Sequence, residues 1–339
     1  MRKKVMVFYF GLLFISMTYI TQQYSDLQVP IHFPKPVYNF ERNPLIPEKV
    51  ELGRHLFYDP ILSRDQTISC ATCHSPFNAF AHTDHDLSHG IDDQVGLRNA
   101  PPLYNLAWQK SFMWDGAINH LDMQALVPIN DPKEMGEDIG RVVQKLQQNP
   151  AYPSRFYQAF KDSTITGEHL LKAISQFQLT LISATSKYDK VQEGRATFTE
   201  QEAKGYQIFK KHCNSCHQEP LFSTYQFADN GLAVDTTLND FGKYRITKNL
   251  SDSLLFKIPS LRNISFTSPY MHDGRFRKLR QVVTHYTENI VQRPSLTGDL
   301  QNPINLTPFE KTDLVAFLLT LDDKDFIFDK KHLFPISNK

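Results

Sequence analysis

The sequence predicts a mainly α chain of two similar units, with long loops and little or no β-sheet. Three observations carry that prediction: two C-x-x-C-H stretches, a gapless internal repeat, and helical spacing of apolar residues through most of the remainder. The chain has 339 residues, beyond the size at which one core usually keeps growing, which fits two domains.

The two stretches are Cys70-Ala71-Thr72-Cys73-His74 and Cys213-Asn214-Ser215-Cys216-His217. In this arrangement two thiols form thioethers to a haem and the adjacent His ligates its iron. The chain has four Cys, so the motifs use every thiol and leave none for a structural disulfide. Zinc would need further ligands for each motif. A thioredoxin-like pair has no reason to carry His next to the second Cys, nor to occur twice. The reading is a di-haem c-type cytochrome with two cytochrome c-like haem domains and two covalently bound haem c groups. Its composition, 41% hydrophobic and 22% charged with a net charge of +1, is that of an ordinary globular protein and not of a nucleic-acid binder.

In chain order, Arg2, Lys3 and Lys4 precede an apolar run from Val5 to Ile20, and polar residues follow from Thr21. Residues 1–24 read as a signal peptide or N-terminal anchor; the run is short for a bilayer span, which favours a cleaved signal. The folded part is expected to be exported, to a bacterial periplasm. Pro30, Pro34, Pro36, Pro44 and Pro47 then punctuate a stretch that cannot be regular helix, read as an extended arm lying on the first domain.

Val50, Leu52, Leu56 and Phe57 have nearly helical spacing, so a helix is expected over 48–58, stopped by Asp59-Pro60. Between His74 and Pro101 lies a polar loop with His82, His85 and His89, a candidate for covering a haem. Helices are expected over 141–148, 154–160 and 167–181 from their i, i+3, i+4 apolar positions. The sequence turns polar over 187–200, and Thr199 with Glu202 forms a capping-box pattern opening a helix through Phe209. The domain boundary is placed there, giving domains 25–190 and 191–339. A long loop over 220–253 and helices over 279–286 and 308–321 complete the second.

The repeat aligns Pro101–Gly116 with Pro259–Gly274 without a gap, and Pro, Leu, Asn, Met, Asp and Gly recur in register. Leu103/Leu261 and Phe112/Tyr270 read as packing, and Gly116/Gly274 as a turn requirement. Met113 and Met271 occupy one shared position, which favours a structural role over iron ligation by Met271. Trp114 faces His272, so that position has diverged, and an aromatic there could carry electrons between two haems.

These residues resemble the bacterial di-haem cytochrome c peroxidases, including the MauG-like branch, from Pro47 to Asp323. The resemblance rests on Leu-Phe-Tyr-Asp-Pro before Cys70, Arg98-Asn-Ala-Pro, Phe112-Met-Trp-Asp-Gly, Pro132-Lys-Glu-Met, Pro259-Ser-Leu-Arg-Asn and Pro269-Tyr-Met-His-Asp-Gly. It implies reduction of hydrogen peroxide at the N-terminal haem, with electrons from a small c-type cytochrome or a cupredoxin relayed through the C-terminal haem. Trp114 matches the tryptophan between the haems, and Gln124 and Glu134 match the peroxide-pocket pair, with Glu134 as acid/base group. Asn99, with the backbone carbonyls of Thr267 and Pro269, matches a calcium site between the domains. A homodimer is compatible with the resemblance.

Two positions depart from the classical pattern. His89 in Ser88-His89-Gly90 lies nearest the expected distal iron ligand of the first haem; alignment needs a gap there, so His82 and His85 stay as alternatives. At the second haem Tyr286 stands where classical members carry Met, which is the MauG-like pattern. An anionic oxygen donor favours ferric iron and lowers the potential where Met would raise it. The alternative reading is therefore a MauG-like di-haem oxidase acting on a protein or organic substrate through a high-valent iron state.

Overall fold

The computed structural model describes residues 27–335. The segment read as a signal or anchor lies outside the described residues. Among the described residues no helix is long and apolar enough to cross a membrane.

The first unit is built on two long helices that cross in contact. α1 (Pro47–Tyr58) starts with Pro at its first turn and buries Leu52, Leu56 and Phe57. α6 (Gly167–Leu179) opens on Thr166, whose side chain accepts from the His169 amide, and buries one long face including Leu170, Ile174 and Phe177. Gly53 is required at their crossing: a Cβ there would lie 1.9 Å from the Ala173 carbonyl oxygen. Between them come α2 (Cys70–Cys73), α3 (Leu126–Asn130), α4 (Ile139–Gln148) and α5 (Tyr152–Phe160). One core, with Leu52, Leu56, Ile129, Val142, Leu146, Phe156 and Ile174, lies among these helices.

The second unit repeats the plan. α7 (Lys187–Gln192) precedes α8 (Glu200–His212), then α9 (Tyr244–Thr247), α10 (Leu279–Glu288), α11 (Pro308–Leu319) and α12 (Lys324–Ile327). α8 and α11 pack through Gly205, where a Cβ would meet the Asp313 carbonyl oxygen at 1.9 Å, as Gly53 does on α1. Both helices carry complete capping boxes, Thr199 with Glu202 and Thr307 with Glu310. Tyr188, Phe209, Phe222 and Phe317 centre this core.

The internal repeat is a repeat of backbone. Asn105 and Asn263 both adopt the left-handed region, at φ 54° and 55°, as do Met113 and Met271 at 66° and 75°. Phe112 bridges Ile118 just as Tyr270 bridges Phe276. Conserved strain at matched positions explains why Asn, a residue tolerant of this region, recurs.

Three details differ from the sequence reading. The polar stretch 187–200 contains α7, because Asp189, fully buried, caps the helix and pairs with Arg262. The loop over 220–253 contains α9 and a two-residue strand β1 (Phe227–Ala228), paired antiparallel with β2 (Phe256–Lys257). That pairing is non-local, so alternation in sequence does not reveal it. The proline-punctuated arm does lie on the first unit, where the Trp108 indole N–H donates to the Pro34 carbonyl at 2.7 Å. It also reaches the junction: His32 Nε2 is 2.7 Å from Asp189 Oδ1, and the Phe33 ring lies 4.9 Å from the Arg262 guanidinium.

Candidate haem sites and the junction between them

At the first attachment motif, α2 is a single turn closed by a reciprocal Ser69–Thr72 capping box, which holds Cys70 and Cys73 at the two ends of one turn. His74 follows as its C-cap. Ala79 and Phe80 both take positive φ, folding the chain back so that the Phe80 carbonyl lies 2.8 Å from His74 Nδ1. Burial pushes the His74 imidazole down to about 4, so the ring is neutral; with Nδ1–H donating to Phe80, Nε2 keeps its lone pair. That is the form and orientation an iron ligand needs.

The loop expected to cover this haem brings its three histidines into one stack. His82 and His85 lie 5.7 Å apart between ring centres, and His85 and His89 4.3 Å apart. His82 is buried with its Nε2 unpartnered, whereas His85 is exposed and His89 half-buried. The His89 carbonyl lies 3.5 Å from Cys73 Sγ, which puts this residue's backbone against the attachment motif.

Glu134 lies on the same side. Burial pushes the Cys73 thiol up to about 11, and the Glu134 charge adds to the push, so the carboxyl is close to the motif. The Glu134 carboxyl itself is pushed up to about 7, first by burial and then by Asp131. Gly90 packs directly on the Glu134 backbone, where a Cβ would lie 2.3 Å from the Glu134 carbonyl oxygen, and the Ile91 amide donates to that same oxygen at 2.8 Å. The histidine loop and the Glu134 turn are thus one backbone unit. Gln124 is buried nearby in sequence: its Oε1 accepts from Gln178 Nε2 at 3.0 Å, and its Nε2 lies 3.9 Å from Met113 Sδ. Gln124 and Glu134 share no hydrogen bond among the described residues.

The second motif borders a largely apolar cavity of about 210 Å³. Cys213, Cys216, His217, Met271 and Tyr286 line it. His217 Nδ1 lies 3.1 Å from the Pro259 carbonyl, and burial pushes its imidazole down to about 4, which repeats the arrangement at His74. An apolar cavity against two thiols and an oriented neutral imidazole fits a covalently attached haem. Tyr286 is half-buried among these groups. Burial pushes its phenol up to about 12, opposed by a hydrogen bond with Asn230, so a tyrosinate at this position needs a metal cation to stabilise it. Asn230 also donates to Met271 Sδ at 3.5 Å. The thioether thereby has a polar partner within the protein, as Met113 has in Gln124.

The wall between the units holds the remaining candidates together. Trp114, Asn99, Thr267 and Pro269 all line the second cavity. The Trp114 indole N–H donates to the Asn99 carbonyl at 2.8 Å, and the Asn99 amide donates to the His272 carbonyl at 2.7 Å. The Asn99 side chain uses its Nδ2 on the Asp86 carbonyl at 3.1 Å. No group of three or more His, Cys, Asp or Glu able to hold a metal occurs among the described residues. The donors at this wall are amide and carbonyl oxygens, a set that suits a hard cation such as calcium. Around them Arg98 bridges Asp115 Oδ2 at 2.7 Å and Asp240 Oδ1 at 2.8 Å. Sequence reading missed Asn230 and Lys257 as members of this wall and the Arg98–Asp240 pair beside it. Each acts through a partner far along the chain; in the sequence, the divergence of Trp114 from His272 and the resemblance through Asn99, Thr267 and Pro269 pointed here.

Comparison with known proteins shows the family. The family described as "Di-haem cytochrome c peroxidase" matches residues 47–197, and the family described as "Cytochrome c" matches residues 202–322. The chain is 37% identical over 310 residues to the methylamine utilization protein MauG of Methylorubrum extorquens, covering 88% of this chain and 85% of that protein. It is 35% identical over 298 residues to the cytochrome c551 peroxidase of Nitrosomonas europaea, covering 86% and 84%. A crystal structure of a MauG-like protein associated with microbial copper homeostasis superposes with a TM-score of 0.81 at 32% identity, covering 91% of this chain and 99% of that one.

Proposed function

Because this chain belongs to the family of di-haem cytochrome c peroxidases and MauG proteins, we propose that it reduces hydrogen peroxide to water at the haem carried by Cys70, Cys73 and His74. Electrons enter from a small c-type cytochrome or a cupredoxin, through the haem carried by Cys213, Cys216 and His217, in an exported, periplasmic protein. Each turnover consumes one peroxide, two electrons and two protons and yields two waters. The haems, when bound, supply the redox chemistry.

The observation that carries this reading is Glu134. A carboxyl pushed up to about 7 beside the first attachment motif can accept the proton from one peroxide oxygen and return it to the other as the O–O bond breaks. Gln124, buried and anchored by Gln178, would orient peroxide by its amide. His89 belongs to the distal loop and would close the site as an iron ligand; the Gly90–Glu134 contact then makes any movement of that loop a movement of the base as well. Trp114 stands at the wall of the second cavity, where it would relay electrons. Calcium, held by Asn99 and the Thr267 and Pro269 carbonyls, would fix that wall.

Steady-state peroxide turnover with a reduced c-type cytochrome tests the reading. Glu134→Gln is expected to lower kcat by about 10² to 10⁴, the usual worth of a positioned acid/base group. Turnover at the wild-type rate would remove Glu134 from the mechanism.

A second reading follows from Tyr286: a MauG-like oxidase acting on a protein or organic substrate. A phenol lining the second cavity would favour a low-potential ferric haem in place of an electron store. Electron paramagnetic resonance and magnetic circular dichroism of the ferric protein decide it, since His/Met ligation of the second haem would remove its basis.

A further inference from the structure

Lys257 stands beside Trp114 yet belongs to the opposite unit. It ends β2, and its backbone N–H donates to the Trp114 carbonyl at 2.8 Å. Its Nζ crosses to the first unit, 2.8 Å from Gln109 Oε1 and 2.8 Å from the Ser111 carbonyl. The ammonium also lies 5.8 Å from the centre of the Phe112 ring. One residue of the second unit thus holds the Gln109–Trp114 turn of the first at both its start and its end. It lines the same cavity wall as Trp114. The matched turn of the second unit, which ends in His272 where the first has Trp114, is held at its end in the same way, by the Asn99 backbone N–H on the His272 carbonyl at 2.7 Å. The Asn99 side chain, however, turns to the Asp86 carbonyl and makes no bond to the start of that turn among the described hydrogen bonds; the side-chain half of the clamp belongs to Lys257 alone.

The clamp is placed where its charge counts. Burial pushes the Lys257 ammonium down to about 7 against the pull of Asp115. Asp115 is itself tied to Arg98 at 2.7 Å. In its protonated form Lys257 is a cation in a poorly solvated wall, which acts strongly on charge passing its neighbour. Holding a charged side chain there costs stability that a Met or Leu would not.

We propose that Lys257 is a positioning residue of the electron relay, which clamps the Trp114 turn across the junction so that the indole keeps its place at the second haem cavity. The inference rests on Trp114 being the relay. In the step concerned one electron leaves the second haem, which is oxidised, and arrives at the first, which is reduced; no bond forms or breaks.

Half-reduced holoprotein tests it, by transient measurement of electron exchange between the haems in wild type, Lys257→Met, Lys257→Arg and Trp114→Phe. Lys257→Met is expected to slow exchange about tenfold or more, since small displacements of a positioned group have effects of this size. Amide hydrogen exchange across 109–116 should quicken in that variant while the optical spectra of both haems stay unchanged. Lys257→Arg, which keeps charge and donors, should recover most of the rate. Wild-type exchange in Lys257→Met, with Trp114→Phe slow, would overturn the role of Lys257 and leave the relay intact. Wild-type exchange in Trp114→Phe would overturn the relay and this inference with it. Should Lys257→Met fail to load haem, Lys257→Gln carries the same test, because it removes the charge and keeps one donor.

Discussion

Trp114 and His272, the residues at which the internal repeat diverges, meet through Asn99: the indole donates to the Asn99 carbonyl at 2.8 Å, and the Asn99 amide donates to the His272 carbonyl at 2.7 Å. The His272 ring stacks on Phe256 at 3.7 Å, and burial pushes it down to about 4, so it presents a neutral aromatic face. Two equivalent positions of an old duplication have therefore become parts of one wall. The residue joining them is the one proposed to hold calcium by its side chain.

Removing calcium should for that reason be felt at the indole. Treatment of the holoprotein with a chelator is expected to shift tryptophan emission and slow electron exchange between the haems, with both restored by added calcium. Identical emission and exchange before and after chelation would rule out a calcium at Asn99.

The elevated Glu134 carboxyl fixes the direction of a pH effect. As a base it must be ionised, so kcat/KM for peroxide should rise as pH rises through about 7 and level off above it. Glu134→Gln should abolish that rise, leaving a low and flat profile in stopped-flow measurements across the same range.

Tyr286→Met should place a thioether where the phenol now sits in the second cavity. The expected outcome is a higher midpoint potential for that haem by spectroelectrochemistry, because Met favours ferrous iron relative to an anionic oxygen. An unchanged potential would mean that Tyr286 does not reach the iron.

The buried pair Arg262–Asp189, both side chains fully inaccessible and 2.8 Å apart, should dominate the stability of the junction. Burial works to raise the Asp189 carboxyl, but the bonds and charge of Arg262, with help from Ser186, outweigh it and hold the carboxyl below its ordinary range. A carboxyl depressed in the folded state stabilises above its unfolded pKa and loses that contribution as pH falls through the folded one. Asp189→Asn should cost about 3–5 kcal/mol in denaturant unfolding at neutral pH, because it leaves Arg262 buried and unpaired. The difference from wild type should shrink below about pH 4.

Legibility in the sequence followed locality. α4 and α8 were readable because their apolar spacing and capping residues lie within a dozen positions, and both haem attachments because Cys, Cys and His are adjacent. Glu134 was readable only through resemblance, since a charged loop residue owes its chemistry to burial that spacing does not encode. Asp189 looked like part of a polar boundary, although Arg262, 73 residues on, makes it core. Lys257 and Arg98 escaped for the same reason, their partners lying 148 and 142 residues away.

The arm at the start of the described chain has a consequence for assembly. Its His32 settles on Asp189, 157 residues later, and its Phe33 on Arg262. A chain is made from its N-terminus, so the residues synthesised early wait for a seat that exists only once Arg262 has emerged and found Asp189. The arm is laid down first, but both its seats must be in place before it can settle, so its closure requires both units.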